Sequence, residues 1–345
     1  MKHGGNVWQG ERPSEWLDYS ANLRPEGPPD WVKDALRTGM ENARYYPDPS
    51  MQRAKAALAE YLGISADCAL PTAGGISAIQ LANRLPNSET VLLTPCFCEY
   101  EQFATSPIRK VSLLNEKHEI ALPETLELKE NSLVWLCNPM NPVGCAFTKT
   151  EIETLLHQIE SQNSYLVVDE AFIEYCPEHS VVDMIEKHDR LLITGSMTKI
   201  LGIPGVRLGY LCAQPKLLEE LKQHQLTWEL SCFAEAVALA MPEHKAEIQT
   251  YSVCNAKRRK ELVSGLQSLG VHVYHSQSAC VLADFGRNVE AIAEALKERK
   301  ILVRSCMSFD DINDGRHLRL AVKDEASNQN LIKTLREVLI CAEKA

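Results

Sequence analysis

The sequence predicts an α/β protein with a large domain, built on a mostly parallel sheet covered by helices, and a smaller C-terminal α/β domain. Short, nearly continuous apolar runs recur at residues 91–93, 133–136, 166–168 and 191–193. Segments long enough for a helix separate these runs, a pattern typical of parallel strands buried on both faces. A chain of 345 residues, 45% of them hydrophobic and 24% charged, is long enough to bury two cores.

The helix between the second and third runs is predicted from its own sequence. The segment EIETLLHQIES carries apolar residues at helical spacing, and Thr148 or Thr150 before it can cap the helix N-terminus. The apolar runs on either side of this helix therefore form one βαβ unit.

The hydrophobic pattern of the sequence changes after about residue 230, and this change predicts a second domain. Helical segments come first, followed by the alternating stretches VHVYHS and CVLADF and a final helical segment, NLIKTLREVLICAEK. We expect residues 1–40 to form an N-terminal arm that packs with the small domain, residues 41–230 to form the large domain, and residues 231–345 to form the small domain.

Composition excludes several classes of partner. The formal net charge of -10 argues against binding to nucleic acid or to an anionic membrane, since both require an excess of Lys and Arg. The N-terminus, MKHGGNVWQGERP, lacks the apolar core of a signal peptide, and no stretch reaches the roughly 18 apolar residues of a spanning helix. We expect a cytoplasmic protein.

Cysteine and histidine are frequent but do not form a metal motif. The twelve cysteines are scattered without a C-x-x-C pair, and the ten histidines show no H-E-x-x-H pattern. In a reducing cytosol we expect the cysteines to be buried thiols, and we expect no metal site.

Polar residues follow the apolar runs, at the strand ends where open parallel sheets bind ligands. Asp169 follows residues 166–168, and Ser196, Lys199 and Arg207 follow residues 191–193. An isolated aspartate or lysine at such a place is usually a helix cap or a solvated charge. Together they form the set that pyridoxal 5'-phosphate (PLP) requires. The lysine binds the cofactor covalently, the carboxylate keeps the pyridine nitrogen protonated, and Arg207 with Ser196 holds the phosphate.

Two longer motifs contain these residues, VVDEAF and SMTKILGIPGVRLGY, and a third motif, NPMNPVG, follows the apolar run at residues 133–136. With them the sequence resembles the class I/II aminotransferase superfamily of fold-type I PLP-dependent enzymes across nearly its whole length. The resemblance implies that Asn141 binds the cofactor's 3'-oxygen, that Asp169 binds the pyridine nitrogen and that Ala171 packs under the ring. It also implies a Schiff base on Lys199 and phosphate contacts from Ser196 and Arg207.

Further cofactor contacts follow from the same resemblance. Gly74, Gly75 and Ile76 lie where the family has a loop whose backbone N–H groups cradle the phosphate at a helix start, and Phe97 matches the aromatic residue that stacks on the ring. Ile76 replaces a hydroxyl residue common in relatives, so its contact is expected to be through the backbone. Val143 and Phe172 stand where many relatives have threonine and tyrosine.

The two ends of the chain narrow the resemblance to threonine-phosphate decarboxylases and histidinol-phosphate aminotransferases. The segments that show this resemblance are His3-Gly4-Gly5-Asn6, LDYSANLRPEGPP, RYYPDPS, ILVRSC and HLRLAV. In both groups the tyrosine matching Tyr46 reaches the cofactor phosphate of the neighbouring subunit, which implies a homodimer with shared sites.

The same segments imply four substrate-binding residues. Arg319 matches the arginine that binds the substrate carboxylate, Arg304 and His3 are candidates for a substrate phosphate, and Asn22 lies in the expected pocket. Arg24 departs from the family's usual asparagine and leaves the substrate open.

Three functions are compatible with these motifs. The leading hypothesis is decarboxylation of a small phosphorylated amino acid, L-threonine O-3-phosphate or L-serine O-phosphate, with Lys199 and Asp169 as catalytic residues. The alternative is a histidinol-phosphate-type aminotransferase, in which Lys199 moves a proton. A non-catalytic PLP-binding protein is disfavoured because Lys199, Asp169 and Arg207 are all present.

Overall fold

The computed structural model describes residues 3–8, 12–115 and 119–342. In chain order the strands are β1 (Leu17–Asp18), β2 (Ala69–Thr72), β3 (Glu89–Thr94), β4 (Ile108–Ser112), β5 (Ser132–Cys137), β6 (Tyr165–Asp169), β7 (Leu191–Ser196), β8 (Gly209–Cys212), β9 (His272–Val273), β10 (Cys280–Asp284), β11 (Ile301–Leu302), β12 (Arg304–Ser305) and β13 (His317–Ala321). The helices are α1 (Asp30–Asn42), α2 (Gln52–Leu62), α3 (Gly75–Ala82), α4 (Glu99–Phe103), α5 (Lys149–Ser161), α6 (Pro215–Lys222), α7 (Cys232–Ala240), α8 (Lys245–Gln267), α9 (Glu290–Lys297) and α10 (Glu325–Ala342).

The large sheet has the strand order β2-β8-β7-β6-β5-β3-β4. Strands β4, β3, β5, β6 and β7 pair in parallel, whereas β8 runs antiparallel to both β7 and β2. The four predicted apolar runs are β3, β5, β6 and β7, and every residue of β3, β5 and β7 is buried. The predicted α/β class with a mostly parallel sheet is confirmed.

Helix α5 connects β5 to β6, as its sequence predicted. Thr148 is its N-cap, and the structure contains a complete capping box in which Thr148 accepts from the Glu151 N–H and Glu151 accepts from the Thr148 N–H. Its buried face consists of Ile152, Leu155, Leu156 and Ile159. The resulting βαβ crossover brings the carboxyl ends of β5 and β6 to the same edge of the sheet.

A second sheet, with the order β12-β13-β10-β9, is antiparallel throughout and carries the C-terminal half of the candidate site. Beside it, β1 near the N-terminus pairs in parallel with β11. A separate hydrophobic core joins this region, running from Leu262 to Val338 and including Tyr19.

The main core extends from Trp31 to Tyr251 and takes in a few later residues. Helices α1 and α7 both contribute side chains to it, although they fall in the predicted arm and the predicted small domain. The boundaries at residues 40 and 230 remain predictions.

The cysteines differ in part from the expectation of buried thiols. Seven are buried, but Cys98, Cys145 and Cys232 are half-buried, and Cys254 and Cys341 are exposed because they lie on the outer faces of α8 and α10. Within the described part of the chain, no helix has the length and apolar character needed to cross a membrane.

Candidate active site

Asp169 is the last residue of β6 and lies opposite Cys137 of β5 and Thr194 of β7. The Tyr100 hydroxyl donates to its Oδ2 at 2.5 Å, and the Ala171 N–H donates to its Oδ1 at 3.0 Å. Burial raises the pKa of Asp169, and these two hydrogen bonds act in the opposite direction. The result is a buried carboxylate with its orientation fixed from both sides.

Lys199 follows β7 and lies in the same cleft. Its Nζ donates to Thr198 Oγ1 at 2.9 Å, and Thr198 Oγ1 lies 2.9 Å from Ser196 Oγ. The pKa of Lys199 is lowered to about 8, mainly by burial and also by the charges of Arg207 and Arg319, while Asp169 acts in the opposite direction. About a tenth of this amine is therefore uncharged at pH 7, far more than for an ordinary lysine, and this fraction can act as a nucleophile.

The loop between β2 and α3 forms a cradle against Arg207. Gly74 has a φ of +82°, and a Cβ built on it would overlap the Arg207 guanidinium. A Cβ on Gly75 would lie 3.2 Å from Ser196 Cβ. Glycine at both positions thus lets Arg207 and Ser196 approach the loop backbone, at the N-terminus of a helix where anions bind favourably.

The backbone N–H groups of this cradle are divided between the loop itself and a ligand. Gly74 N–H donates to Thr72 O at 2.7 Å, and Ser77 N–H donates to Gly74 O at 3.2 Å. Gly75 N–H and Ile76 N–H have no hydrogen-bond partner among residues 3–8, 12–115 and 119–342. Two free donors beside a guanidinium and a hydroxyl fit a phosphate group.

Arg319 of β13 joins the second sheet to the cleft. Its Nη1 donates to Asn141 Oδ1 at 2.7 Å, and its Nη2 donates to Ser20 O at 2.6 Å. Because Arg319 occupies the amide oxygen of Asn141, the amide NH2 group remains the donor for a ligand oxygen. Arg319 Nε is buried and has no hydrogen-bond partner within the described chain.

Arg304 lies directly opposite Arg319 across the β12–β13 pair. Side chains at directly opposed positions share one face of a sheet. Arg304 is buried, and its Nη2 donates to Ser308 Oγ at 2.7 Å. Burial lowers the pKa of Arg304, and the charge of Arg319 lowers it further.

The N-terminal segment lies beside Phe97. His3 Nε2 is 2.9 Å from Glu99 Oε1, and the His3 ring meets Phe97 edge to face at 5.9 Å. Gly5 N–H donates to Ser20 Oγ at 2.8 Å. Ser20 also accepts a hydrogen bond from Arg319 through its backbone carbonyl. His3 is thereby connected to the Arg319 side of the cleft.

The remaining predicted residues lie at different depths. Asn22 is buried, with its Oδ1 lacking a hydrogen-bond partner in the described residues, and Ala171 is half-buried next to Asp169. Phe172 lies 5.9 Å from Lys199 Nζ, measured to the ring centroid. Tyr46 is 81% exposed and stacks on Trp228 with ring centroids 4.7 Å apart. In a single chain it lies on the surface.

Sequence reasoning missed Tyr100 and Thr198. Tyr100 stacks on Trp135 of β5, with centroids 4.5 Å apart, while its hydroxyl binds Asp169. Tyr100 lies three residues after Phe97, and this helical spacing could have indicated that both side chains face the same cleft. Thr198 lies next to Lys199 in the sequence, and its hydroxyl was visible in the motif without an assigned role.

The arrangement defines a class of protein. The model of the family Aminotransferase class I and II matches residues 15–335, and the chain belongs to this family. Its cofactor is PLP, and the cleft fits that group. The cradle and Arg207 offer a phosphate site, Asp169 offers a buried carboxylate, and Lys199 offers an amine with a lowered pKa.

Individual relatives divide into two activities. A protein of Caldanaerobacter subterraneus subsp. tengcongensis, provisionally assigned as a threonine-phosphate decarboxylase, is 30% identical over 97% of this chain and 93% of its own length. The threonine-phosphate decarboxylase of Salmonella typhimurium is 28% identical over 98% of this chain and 96% of its own. The histidinol-phosphate aminotransferase of Geobacillus sp. (strain WCH70) is 26% identical over 94% of this chain and 90% of its own.

A solved structure shows the same fold. The histidinol-phosphate aminotransferase from Clostridium acetobutylicum superposes with a TM-score of 0.84, at 26% identity, over 93% of this chain and 98% of that protein. The fold-type I architecture predicted from the motifs is therefore confirmed.

Proposed function

We propose that this chain is a carboxy-lyase that converts L-threonine O-3-phosphate to (R)-1-amino-2-propanol O-2-phosphate, or L-serine O-phosphate to ethanolamine phosphate, in cobamide biosynthesis in the cytoplasm. The pairing of Arg304 with Arg319 carries this proposal. Two buried guanidinium groups on one face can bind two anionic groups of one ligand. A phospho amino acid supplies a carboxylate and a phosphate in one molecule, whereas an aminotransferase acting on histidinol phosphate would meet two anionic groups only when its 2-oxo acid is bound.

We assign the substrate carboxylate to Arg319, whose buried Nε still needs an acceptor. The substrate phosphate is assigned to Arg304 and His3, with Asn22 lining the pocket between them and Arg319. His3 reaches this region because Gly5 is fastened to Ser20.

The proposed cofactor contacts follow the geometry of the cleft. Gly74, Gly75, Ile76, Ser196 and Arg207 would hold the phosphate. Asn141 would donate to the 3'-oxygen, and Phe97 and Ala171 would cover the two faces of the ring. Tyr46 would complete the phosphate site of the neighbouring subunit in a homodimer.

PLP supplies an electron-accepting ring when it is bound. Asp169 would hold the proton at the pyridine nitrogen, and Lys199 would deliver a proton to the substrate Cα in place of the CO2 that leaves. Arg319 orients the substrate carboxylate, and this orientation selects the bond that breaks. Decarboxylation therefore needs no residue beyond those already in the cleft.

A histidinol-phosphate-type aminotransferase is the second candidate, because a relative with that activity matches 94% of this chain. The same lysine, aspartate and cofactor residues would serve it. The two candidates differ in their products, since transamination consumes a 2-oxo acid and releases no CO2.

The test is incubation of the PLP-loaded protein with phosphothreonine, phosphoserine and histidinol phosphate, each with and without 2-oxoglutarate. We expect CO2 and the corresponding phosphoamine without 2-oxoglutarate. Conversion of 2-oxoglutarate to glutamate with histidinol phosphate as the amino donor, without CO2 from either phospho amino acid, would support the aminotransferase instead. Lys199→Ala is the control and should lose both product formation and the visible absorbance band of the lysine-bound cofactor. No product from any of the three compounds would favour a non-catalytic PLP-binding protein.

A further inference from the structure

Glu229 touches the phosphate cradle, although neither the motifs nor the proposed mechanism gives it a role. Its Oε1 accepts a hydrogen bond from the Ala73 N–H at 2.9 Å and another from the Ser77 hydroxyl. These two donors flank the three cradle residues Gly74, Gly75 and Ile76. One carboxylate oxygen therefore fixes the loop on both sides of the proposed phosphate site.

The contact with Ala73 determines which backbone donors remain for a ligand. Ala73 N–H is bound by Glu229, while Gly74 N–H and Ser77 N–H are bound within the loop. Only Gly75 N–H and Ile76 N–H are left unpaired over the loop stretch 73–77. Without Glu229 the first of these five groups would lose its partner, and the entry of the chain into α3 would lose its anchor.

The segment that carries Glu229 is itself held firmly. Gln225 Nε2 donates to Pro71 O at 2.7 Å, and Leu230 is buried in the main core. Between them, Trp228 has a φ of +58°, a left-handed conformation that a bulky residue adopts only when its surroundings enforce it. This conformation is part of the path that directs Glu229 to the loop and places the Trp228 ring on Tyr46.

We propose that Glu229 is a positioning residue that presents the loop N–H groups to the cofactor phosphate. Through Trp228 it also ties the loop to Tyr46, the residue proposed to reach the neighbouring subunit. This inference rests on the phosphate site proposed above and is independent of the reaction catalysed.

The charge of Glu229 opposes an anionic ligand, so the alternative role would be repulsion. Its Oε1 already accepts two hydrogen bonds, and the guanidinium of Arg207 lies against Gly74 on the same loop. The amide of glutamine retains an oxygen acceptor but carries no charge. Glu229→Gln therefore separates hydrogen bonding from charge, and Glu229→Ala removes both.

The test compares the affinities of PLP and pyridoxal, which lacks the phosphate, for the full-length protein freed of cofactor. Glu229→Ala should weaken PLP binding about tenfold or more, because hydrogen bonds to a charged group are lost, and should change pyridoxal binding less than about twofold. Glu229→Gln should stay within about threefold of wild type for both ligands.

Gln225→Ala is the matched control, since it loosens the same segment at Pro71 and leaves the loop N–H groups untouched. Its PLP affinity should change less than about twofold. Equal losses for PLP and pyridoxal in Glu229→Ala, or tighter PLP binding in either Glu229 variant, would overturn the proposal. A wild-type protein that binds PLP no better than pyridoxal would instead disprove the phosphate site on which it rests.

Discussion

Lys199 is surrounded by charges that act on its amine in opposite directions. Arg207 and Arg319 favour the neutral amine, Asp169 favours the ammonium form, and burial adds the largest effect. The outcome is a pKa lowered from 10.5 to about 8. The residue proposed to bind the cofactor thus has a lowered pKa before the cofactor binds.

This lowering predicts a pH dependence for cofactor capture. The neutral fraction of Lys199 grows as the pH rises through about 8, so the rate at which the cofactor-free protein captures PLP should rise over that interval and then level off. In Arg319→Met a charge that lowers the pKa is lost, and the midpoint should move to higher pH. Stopped-flow absorbance measures the rate.

Arg304→Met is the control for that experiment. Arg304 is another buried arginine on the same face, and it is absent from the causes of the Lys199 shift. Its midpoint should match wild type. A midpoint unchanged in Arg319→Met would show that Arg319 does not act on this lysine.

Burial raises the pKa of Asp169, and the Tyr100 hydroxyl, which donates to this carboxylate at 2.5 Å, acts in the opposite direction. Tyr100→Phe removes that donor, so the pKa of Asp169 should rise further above its ordinary value, and its ionised fraction should fall. We expect turnover to drop about tenfold, as for a lost hydrogen bond to a charged group. The acid limb of the kcat profile should shift to higher pH.

Tyr175→Phe provides the comparison, because Tyr175 is also buried and its hydroxyl has no hydrogen-bond partner in the described chain. It should leave both turnover and the pH profile unchanged. If Tyr100→Phe behaved like Tyr175→Phe, the hydrogen bond to Asp169 would have no catalytic consequence.

At the scale of elements, the turn between β2 and α3 depends on a glycine for two separate reasons. Gly74 has a positive φ, which strains any other residue, and it is covered by the Arg207 guanidinium. Gly63, which ends α2, also has a positive φ of +78°, but a Cβ there would meet no atom within 4 Å. A residue other than glycine would be strained at both positions, but only at Gly74 would its side chain also overlap the Arg207 guanidinium.

Alanine at these two positions should therefore have different effects. Both variants should lose about 1 kcal/mol of unfolding free energy. Only Gly74→Ala should also displace Arg207 and weaken PLP binding, by about tenfold or more. Thermal unfolding and PLP titration measure the two effects. Equal PLP affinities in the two variants would contradict the role of Arg207 at this loop.

The sequence was most informative where one element specifies its own structure. The buried runs of β3, β5, β6 and β7 were predicted because each is apolar by itself, and the cap at Thr148 was narrowed to two residues. The motifs singled out Lys199 and Asp169 as candidates because their neighbours in the sequence match the family pattern, and their roles remain predictions.

Residues that act across large sequence separations were not predicted. Tyr100 contacts Asp169 across 69 positions, and Glu229 contacts Ala73 across 156. These contacts depend on how elements pack, which no local pattern determines. The pairing of β1 with β11 has the same origin.

For the whole molecule, the most exposed part of the proposed site is Tyr46 with its neighbours. Large apolar side chains of two segments are exposed, namely Met40, Tyr45, Tyr46, Leu226 and Trp228. Exposed apolar clusters of this kind commonly mark protein interfaces. They lie on the segments that carry Tyr46 and Glu229, so a second copy of the chain docked here would approach the phosphate cradle.

Shared active sites can be tested by mixing two inactive variants. Lys199→Ala lacks the amine, and Tyr46→Ala lacks the residue proposed to complete the partner's site, so each homodimer should be nearly inactive. When equal amounts are dissociated and reassociated, half of the dimers are hybrids, and each hybrid has one site with both residues intact. Activity should therefore recover to about a quarter of wild type. Refolding each variant alone is the control, and a mixture no more active than the mean of the two would show that Tyr46 serves its own subunit.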